Sequence, residues 1–199
     1  MILTRTSRLL KEYRPTVAGL LAMIALTGLI ERAMGRSLLG PDARFGWWEG
    51  DIWSSENSQR VADPYSFSHI VHGFGFYALL WLLARKVPLR GRILLAVLLE
   101  GGWEILENSP VIINRYRAVT IALGYFGDSV VNSMSDVLMM SAGFLFAAHL
   151  KPWASLAAIL ILEVGCALWV RDNLTLNIIM LIYPIAAIRG WQMLAQPPH

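Results

Sequence analysis

Long apolar stretches alternate with short polar ones along the whole chain, and the pattern repeats six times. Each stretch has the composition of a membrane-spanning helix, which needs roughly 20 mostly apolar residues to cross a bilayer. The predicted spans are residues 16–33, 67–85, 92–108, 128–149, 153–170 and 174–191. We therefore predict an all-α polytopic membrane protein, with one integral membrane domain over residues 1–199 built as a bundle of about six transmembrane helices.

The first span has a second interpretation that the sequence leaves open. Its basic start, its short apolar stretch and the sequence "RAMG" resemble a cleavable signal peptide. The charged pair "ER" directly after the apolar stretch and the lack of an Ala-x-Ala site favour a span that stays in the protein. The orientation of the later spans is the same under both interpretations.

Basic residues mark one side of the predicted bundle. They occur before the first span, between the second and third spans, after the fourth span and near the C-terminus: Arg5, Arg8, Lys11, Arg14, Arg85, Lys86, Arg90, Arg92, Lys151 and Arg189. Because lysine and arginine concentrate in cytoplasmic loops, we predict that both termini are cytoplasmic. The loop 35–66 carries three arginines against five acidic residues, and its tryptophan-rich stretch "FGWWEGDIW" predicts an outer loop at the headgroup level.

The amino-acid composition indicates which classes of molecule the protein can bind. Only 16% of the residues are charged, against about 25% in soluble domains. No basic run has the density or the aromatic interleaving of a nucleic-acid surface. We therefore expect membrane lipids as partners and no nucleic acid.

Three of the predicted spans carry polar side chains on a single face. Spacings of three and four residues place each set on one side of its helix. The sets are His69 and His72; Glu100, Glu104 and Glu107; and Asp128, Asn132 and Asp136. All three sets fall in the outward-facing half of the predicted bundle, so we expect them to form one site between spans two, three and four.

The chemistry of this predicted site centres on its acidic residues. Two unit charges about 6 Å apart repel by roughly 3 kcal/mol at an effective dielectric near 20, so the acids need protons, arginine partners or a bound cation. Imidazoles with carboxylates are a common ligand set for zinc, iron or manganese. The candidate metal ligands are His69, His72, Glu104, Asp128 and Asp136. The candidates for proton transfer are Glu100 and Glu107, and those for substrate binding are Arg115, Arg117 and Asn132.

Six ordered motifs resemble a family of uncharacterised multi-pass bacterial inner-membrane proteins. They are "SSENSQ", "YSFSHIVHGFGFY", "WEILENSP", "RYRAVT", "YFGDSVVNSMSD" and "RDNLTLNIIMLIYP". The resemblance implies a location in the bacterial inner membrane and a multi-span fold, and it carries no activity, substrate or cofactor. A fainter likeness is to VanZ-like membrane proteins, where a histidine-bearing helix precedes helices that bear glutamate and aspartate.

Three functions stay open at this point. The first is a metal-dependent hydrolase or transferase acting on a lipid or a lipid-linked envelope precursor, in which Arg115 and Arg117 would hold a phosphate headgroup. The second is a non-enzymatic membrane scaffold whose acids form a structural salt-bridge network with these arginines. The third is a cation- or proton-coupled transporter.

Overall fold

The computed structural model describes residues 2–196, with side chains from residue 12 onward. In this part of the chain the prediction of an all-α protein is confirmed. The helices are α1 (Ile2–Ala33), α2 (Ser66–Leu83), α3 (Leu89–Glu107), α4 (Pro110–Val119), α5 (Val130–His149), α6 (Pro152–Trp169), α7 (Leu174–Ile182) and α8 (Ala186–Met193). The side chains of Arg5, Arg8 and Lys11, which help to orient the predicted bundle, lie outside the described residues.

Four of the described helices are long and apolar enough to cross a membrane. They are the segment Glu12–Ala33 of α1 and the whole of α2, α5 and α6. The helix α3 has a similar length, but it carries two arginines and three glutamates and is therefore more polar. Length and composition thus support a membrane protein with several apolar helices.

The predicted span 174–191 is not one continuous helix. It consists of α7 and α8, which are separated by Tyr183, Pro184 and Ile185. Proline has no backbone N–H to donate, and it disfavours the α conformation in the preceding residue. Tyr183 accordingly adopts an extended conformation with φ −136° and ψ 92°.

The helix α5 is the centre of the bundle and packs against α1, α2, α3 and α6. Its closest neighbour is α2, and the two helices meet at Gly73 and Gly143. A Cβ atom added to Gly73 would lie 2.1 Å from the carbonyl oxygen of Met140, and one added to Gly143 would lie 2.1 Å from the carbonyl oxygen of Ile70. The two backbones are therefore in direct contact, which only glycine permits.

The polar ends of α2, α3 and α5 lie side by side. The helices α2 and α5 run in the same direction, because Ser66 contacts Asp136 near their starts and Tyr77 contacts Phe144 further along. The helix α3 follows α2 after a short connection and returns to the same end. At 1.5 Å per residue, Asp136 lies about 9 Å below the start of α5.

The loop 35–66 is held over this end of the bundle by hydrogen bonds to the beginning of α5. The backbone N–H of Ser129 donates to the carbonyl of Ser58 at 3.0 Å, and the N–H of Val130 donates to that of Ser37 at 2.9 Å. Ser129 is also the N-cap of α5. Asp128 therefore precedes the helix, which corrects the predicted span 128–149 by two residues and places Asp128 in the loop.

Candidate functional site

Two histidines of α2 contact a single glutamate of α3. The Nδ1 atom of His69 lies 2.6 Å from Oε1 of Glu100, and Nδ1 of His72 lies 3.0 Å from the same oxygen. Glu100 is fully buried, His69 is buried, and His72 is half-buried. Because a carboxylate only accepts hydrogen bonds when ionised, the two imidazoles supply the donors that this buried group needs.

A second acidic group lies next to the first and contains Glu104, Glu107 and Asp128. Glu104 links the two groups, because its Oε1 atom lies 3.4 Å from Nδ1 of His69. This oxygen is buried and has no hydrogen-bond partner among the described residues. A buried carboxylate oxygen without a donor is costly, so the site favours a bound cation or a proton there.

Both groups have the composition and spacing to hold a metal ion. One consists of His69, His72 and Glu100, and the other of Glu104, Glu107 and Asp128; in each, one ligand atom per residue lies within 4.8 Å of the others. Ligands around a tetrahedral ion with bonds of about 2.1 Å are roughly 3.4 Å apart, so each group would supply three of the four ligands once its atoms move closer together. The structure thus places Glu100, predicted to transfer protons, beside the predicted ligands His69 and His72.

Asn108 fixes the position of Asp128 with two hydrogen bonds. Its Nδ2 atom donates to Oδ2 of Asp128 at 2.9 Å, and its Oδ1 atom accepts from the backbone N–H of Asp128 at 2.7 Å. The hydroxyl of Tyr125 donates to the same Oδ2 at 2.9 Å, and Nε of Arg36 donates to the carbonyl of Asp128 at 3.0 Å. None of these three partners was predicted as a site residue from the sequence, although Asn108 continues the four-residue spacing of Glu100 and Glu104.

The helix α1 also contributes to the site through Glu31, which the sequence analysis did not assign. Its side chain is fully buried, and its Oε1 atom lies 3.5 Å from Nδ2 of Asn108. Its Oε2 atom has no hydrogen-bond partner among the described residues. The sequence feature that could have indicated this role is the glutamate of the pair "ER", an acidic residue at the end of an apolar span.

Asp136 and Asn132 connect the acidic groups to the outer loop. Oδ2 of Asp136 lies 3.8 Å from Nε2 of His69, and Oδ1 accepts from the hydroxyl of Ser66 at 3.0 Å. Nδ2 of Asn132 donates to the carbonyl of Arg60 at 2.9 Å, so this predicted substrate ligand also holds the loop. Asp63 is adjacent, and burial raises its pKa to about 6.

The two predicted headgroup arginines do not reach the acidic groups. Arg115 donates from Nε and Nη2 to the carbonyl of Leu181 at 3.0 and 2.8 Å. Arg117 donates to the carbonyl of Tyr125. Among the described residues, neither guanidinium forms an ion pair with a carboxylate, so the interactions of both arginines tie α4 to its surroundings.

A cavity of about 1010 Å³ opens beside the acidic groups. Its polar wall includes His69, His72, Glu107, Asp128, Asn132 and Asp136. Its apolar wall comes from α2, α3 and α7 and includes Phe76, Leu99, Trp103, Leu106, Ile178 and Leu181. The volume is at the upper end of the roughly 300–1,000 Å³ typical of small-molecule sites, and the two walls suit an amphiphile.

Asp172 lies near the cavity, in the connection between α6 and α7, and forms a separate buried network. Its carboxylate accepts from the hydroxyl of Tyr65 at 3.1 Å, from Nδ2 of Asn177 at 3.1 Å and from Nε2 of Gln192 at 2.9 Å. Burial raises its pKa to about 6, although these hydrogen bonds lower it. An aspartate carboxyl has an ordinary pKa near 3.8, so the folded protein holds this proton more tightly than the unfolded chain.

This difference predicts a pH dependence of stability. The contribution of Asp172 is complete below pH 3.8 and is lost as the pH rises through about 6. We expect the wild type to lose about 2 kcal/mol more than an Asp172→Asn variant between pH 4.5 and pH 7. Thermal unfolding of both proteins in detergent at the two pH values measures the difference, and equal losses would contradict the assignment.

The chain shares most of its length with uncharacterised bacterial proteins. A family model described as "Protein of unknown function (DUF2585)" matches residues 31–194. A UPF0314 protein of Rhizobium meliloti is 47% identical over 172 residues, which are 86% of this chain and 87% of the relative. A UPF0314 protein of Paracoccus denitrificans is 52% identical over 145 residues, which are 73% of this chain and 75% of that protein.

A third relative shows a similar level of identity. A UPF0314 protein of Sphingopyxis alaskensis is 48% identical over 175 residues, covering 86% of this chain and 91% of its own length. No solved structure matches the chain. The extent of the family match and the identity to these relatives show that the chain belongs to the DUF2585 family of proteins of unknown function.

Proposed function

We propose that the chain is a multi-pass protein of the bacterial inner membrane that crosses it six times, with both termini in the cytoplasm. The crossings are α1, α2, α3, α5, α6 and the pair α7–α8. The basic residues Arg85 and Lys86 lie between α2 and α3, and Arg90 and Arg92 lie in the first turn of α3, at the end of these helices opposite the acidic groups. Because basic loops stay in the cytoplasm, this placement supports an outward-facing site.

The protein acts at this site as a divalent-metal-dependent hydrolase or transferase on a lipid or a lipid-linked envelope precursor. The observation that carries this proposal is the pair of adjacent, buried ligand groups beside a cavity with one polar and one apolar wall. Buried carboxylates and imidazoles without basic partners are found mainly where they bind cations or move protons. The apolar wall supplies a surface for an acyl or polyprenyl chain.

The structure suggests a division of roles that differs from the one predicted from sequence. His69, His72 and Glu100 hold one ion, which is a familiar set for zinc, iron or manganese. Glu107 and Asp128 line the cavity beside it, and with Glu104 they hold a second ion or exchange protons with the substrate. A bound metal ion supplies Lewis-acid activation of a water or of an ester oxygen.

Elemental analysis of the purified protein tests the metal site. We expect near-stoichiometric zinc, iron or manganese in the wild type, and at least a tenfold lower content in His72→Gln, because the loss of one of few ligands weakens binding by about 10- to 100-fold or more. The matched control is His149→Gln, since His149 is exposed and lies outside both groups. The double variant Glu104→Gln, Asp128→Asn tests the second group in the same way.

The alternatives make different predictions for the same samples. A wild type that binds none of the three metals after loading would contradict a metal-dependent enzyme. If the isosteric variants then changed only thermal stability, the acidic groups would be structural and the scaffold would be supported. A cation- or proton-dependent flux into liposomes that these variants abolish would instead support a transporter.

A further inference from the structure

The described part of the cavity wall carries acidic side chains but no lysine or arginine. Among the described residues that line the cavity none is a lysine or an arginine, whereas the acidic ones are Asp51, Asp63, Glu107, Asp128 and Asp136. Recognition of a phosphate group relies on arginine or lysine side chains or on backbone donors. The nearby Arg115 and Arg117 already donate to carbonyl oxygens of Leu181 and Tyr125. The wall is therefore complementary to a cation and not to an anionic headgroup.

The same wall is rich in aromatic side chains. They are Trp53, Tyr65, Phe76, Trp103, Tyr116, Tyr125 and Phe126. Aromatic faces attract ammonium groups through cation–π interactions, and cages of this kind recognise organic cations. Two of the tyrosines are tied to acids, because Tyr125 donates to Asp128 and Tyr65 donates to Asp172. At the part of the cavity lined by the loop, Asp51 and Asp63 together with Trp53 and Tyr65 favour an amine over a bare metal ion.

The cavity reaches the apolar surface between α3 and α7. Leu99 and Leu106 of α3 line it and are 45% and 48% exposed, and Ile178 of α7 is 46% exposed on the opposite side. The helix α7 packs mainly against α4, and residues of α3 and α7 line the cavity across the gap between them. In a bilayer this gap would face the acyl chains, so that an amphiphile could enter without leaving the membrane.

We propose that the cavity receives a membrane lipid whose headgroup carries a cationic amine, and that the lipid enters sideways between α3 and α7. The acyl chain lies against Leu99, Leu106 and Ile178, and the amine lies among the aromatic residues and the two acids of the loop that line the cavity, Asp51 and Asp63. This inference rests on the proposed function, because it names the substrate class of the same site.

A competition between two lipids tests the inference on the intact wild type. Dioleoyl phosphatidylethanolamine and its N-acetylated derivative have the same acyl chains and the same phosphate, and they differ in the positive charge of the amine. Native mass spectrometry of the detergent-solubilised protein with equal amounts of both measures which one is retained. We expect the amine form to be retained about tenfold more, as the loss of a desolvated cation–π or ionic contact predicts.

A variant that fills the opening tests the position of the lipid. Gly102 lies on α3 between Leu99 and Leu106, it lines the cavity, and a Cβ atom there would contact nothing within 4 Å. Gly102→Trp should therefore fold and should lower retention of the amine lipid about tenfold. Gly165→Trp is the matched control, because Gly165 on α6 is equally open but lies outside the cavity.

A second pair of variants tests the position of the lipid without relying on Gly102→Trp. Leu106 lines the cavity, whereas Leu98 on the same helix is 60% exposed and does not line it. Leu106→Trp should lower retention of the amine lipid, and Leu98→Trp should leave it at the wild-type level.

Each outcome of these measurements decides one point. Equal retention of the two lipids by the wild type would overturn the amine inference, and a preference that survives both cavity variants would place the lipid elsewhere and overturn it as well. Metal content measured on the same samples separates the two proposals. If the protein binds metal but does not prefer either lipid, the metal site is retained and the amine-lipid inference is rejected. If it prefers the amine lipid but binds no metal, only the metal-dependent enzyme is rejected.

Discussion

A Gly73→Ala variant is expected to be strongly destabilised, although it adds a single methyl group. That methyl would lie 2.1 Å from the carbonyl oxygen of Met140 and 2.5 Å from the backbone nitrogen of Phe144. Both atoms belong to the backbone of α5, so no side-chain rotation relieves the overlap and the two helices must separate. Overpacking of a core costs about 1–3 kcal/mol or more, which corresponds to a fall of about 10 °C in the unfolding temperature.

The control for this variant is available on the same helix. Gly75 lies two residues further along α2, is exposed, and has open space where a Cβ atom would be. Gly75→Ala should therefore be neutral or slightly stabilising, because alanine favours the helix over glycine by about 1 kcal/mol. Unfolding of both variants in detergent, followed by intrinsic fluorescence, makes the comparison. Similar unfolding temperatures for the two would show that α2 and α5 do not meet at Gly73.

An Asn108→Asp variant is expected to destabilise the acidic site by about 3–5 kcal/mol, the usual cost of leaving a buried charge without compensation. The substitution keeps the shape of the side chain but replaces the Nδ2 donor with an oxygen. Asp128 then loses a donor at 2.9 Å and Glu31 loses one at 3.5 Å. A new carboxylate would face both of these acids and the backbone carbonyl oxygen of Glu104.

Two measurements distinguish this electrostatic effect from a general loss of helix stability. Asn114→Asp on α4 makes the same chemical change at an exposed position and should leave the unfolding temperature within about 2 °C of the wild type. Added zinc or manganese should recover part of the loss in Asn108→Asp, because a cation at Glu104 and Asp128 compensates the extra charge. A variant as stable as the wild type would show that Asn108 does not hold Asp128.

The apolar pattern predicted the helical class of the protein because the periodic runs are long and the bilayer accepts few alternatives. The prediction failed where a single residue decides the geometry. Pro184 divides the last apolar segment into α7 and α8, and Ser129 caps α5, which begins at Val130, two residues after the predicted boundary. Such boundaries depend on one capping or helix-breaking side chain. Hydropathy averaged over a window of residues does not detect the effect of a single side chain.

The candidate site was predictable to the extent that it follows helical spacing. The two histidines and Glu100 and Glu104 were found as stripes, and the structure brings them into contact. The pairing between stripes was not predictable, since it depends on the relative rotation of α2, α3 and α5. Partners contributed by loops and by α1, such as Tyr125 and Glu31, have no periodic signature and come together only through the packing.

The contacts of the two ligand groups also imply an order of assembly. His69 and His72 meet Glu100 across consecutive helices, 31 and 28 residues apart in the chain. In the proposed topology, α2 and α3 can therefore enter the bilayer as a hairpin whose deepest carboxylate already has its donors. The second group is incomplete until Asp128, which precedes α5, has been synthesised. Growth of the chain from its N-terminus thus supplies Glu100 with its two imidazole donors before α5 is made.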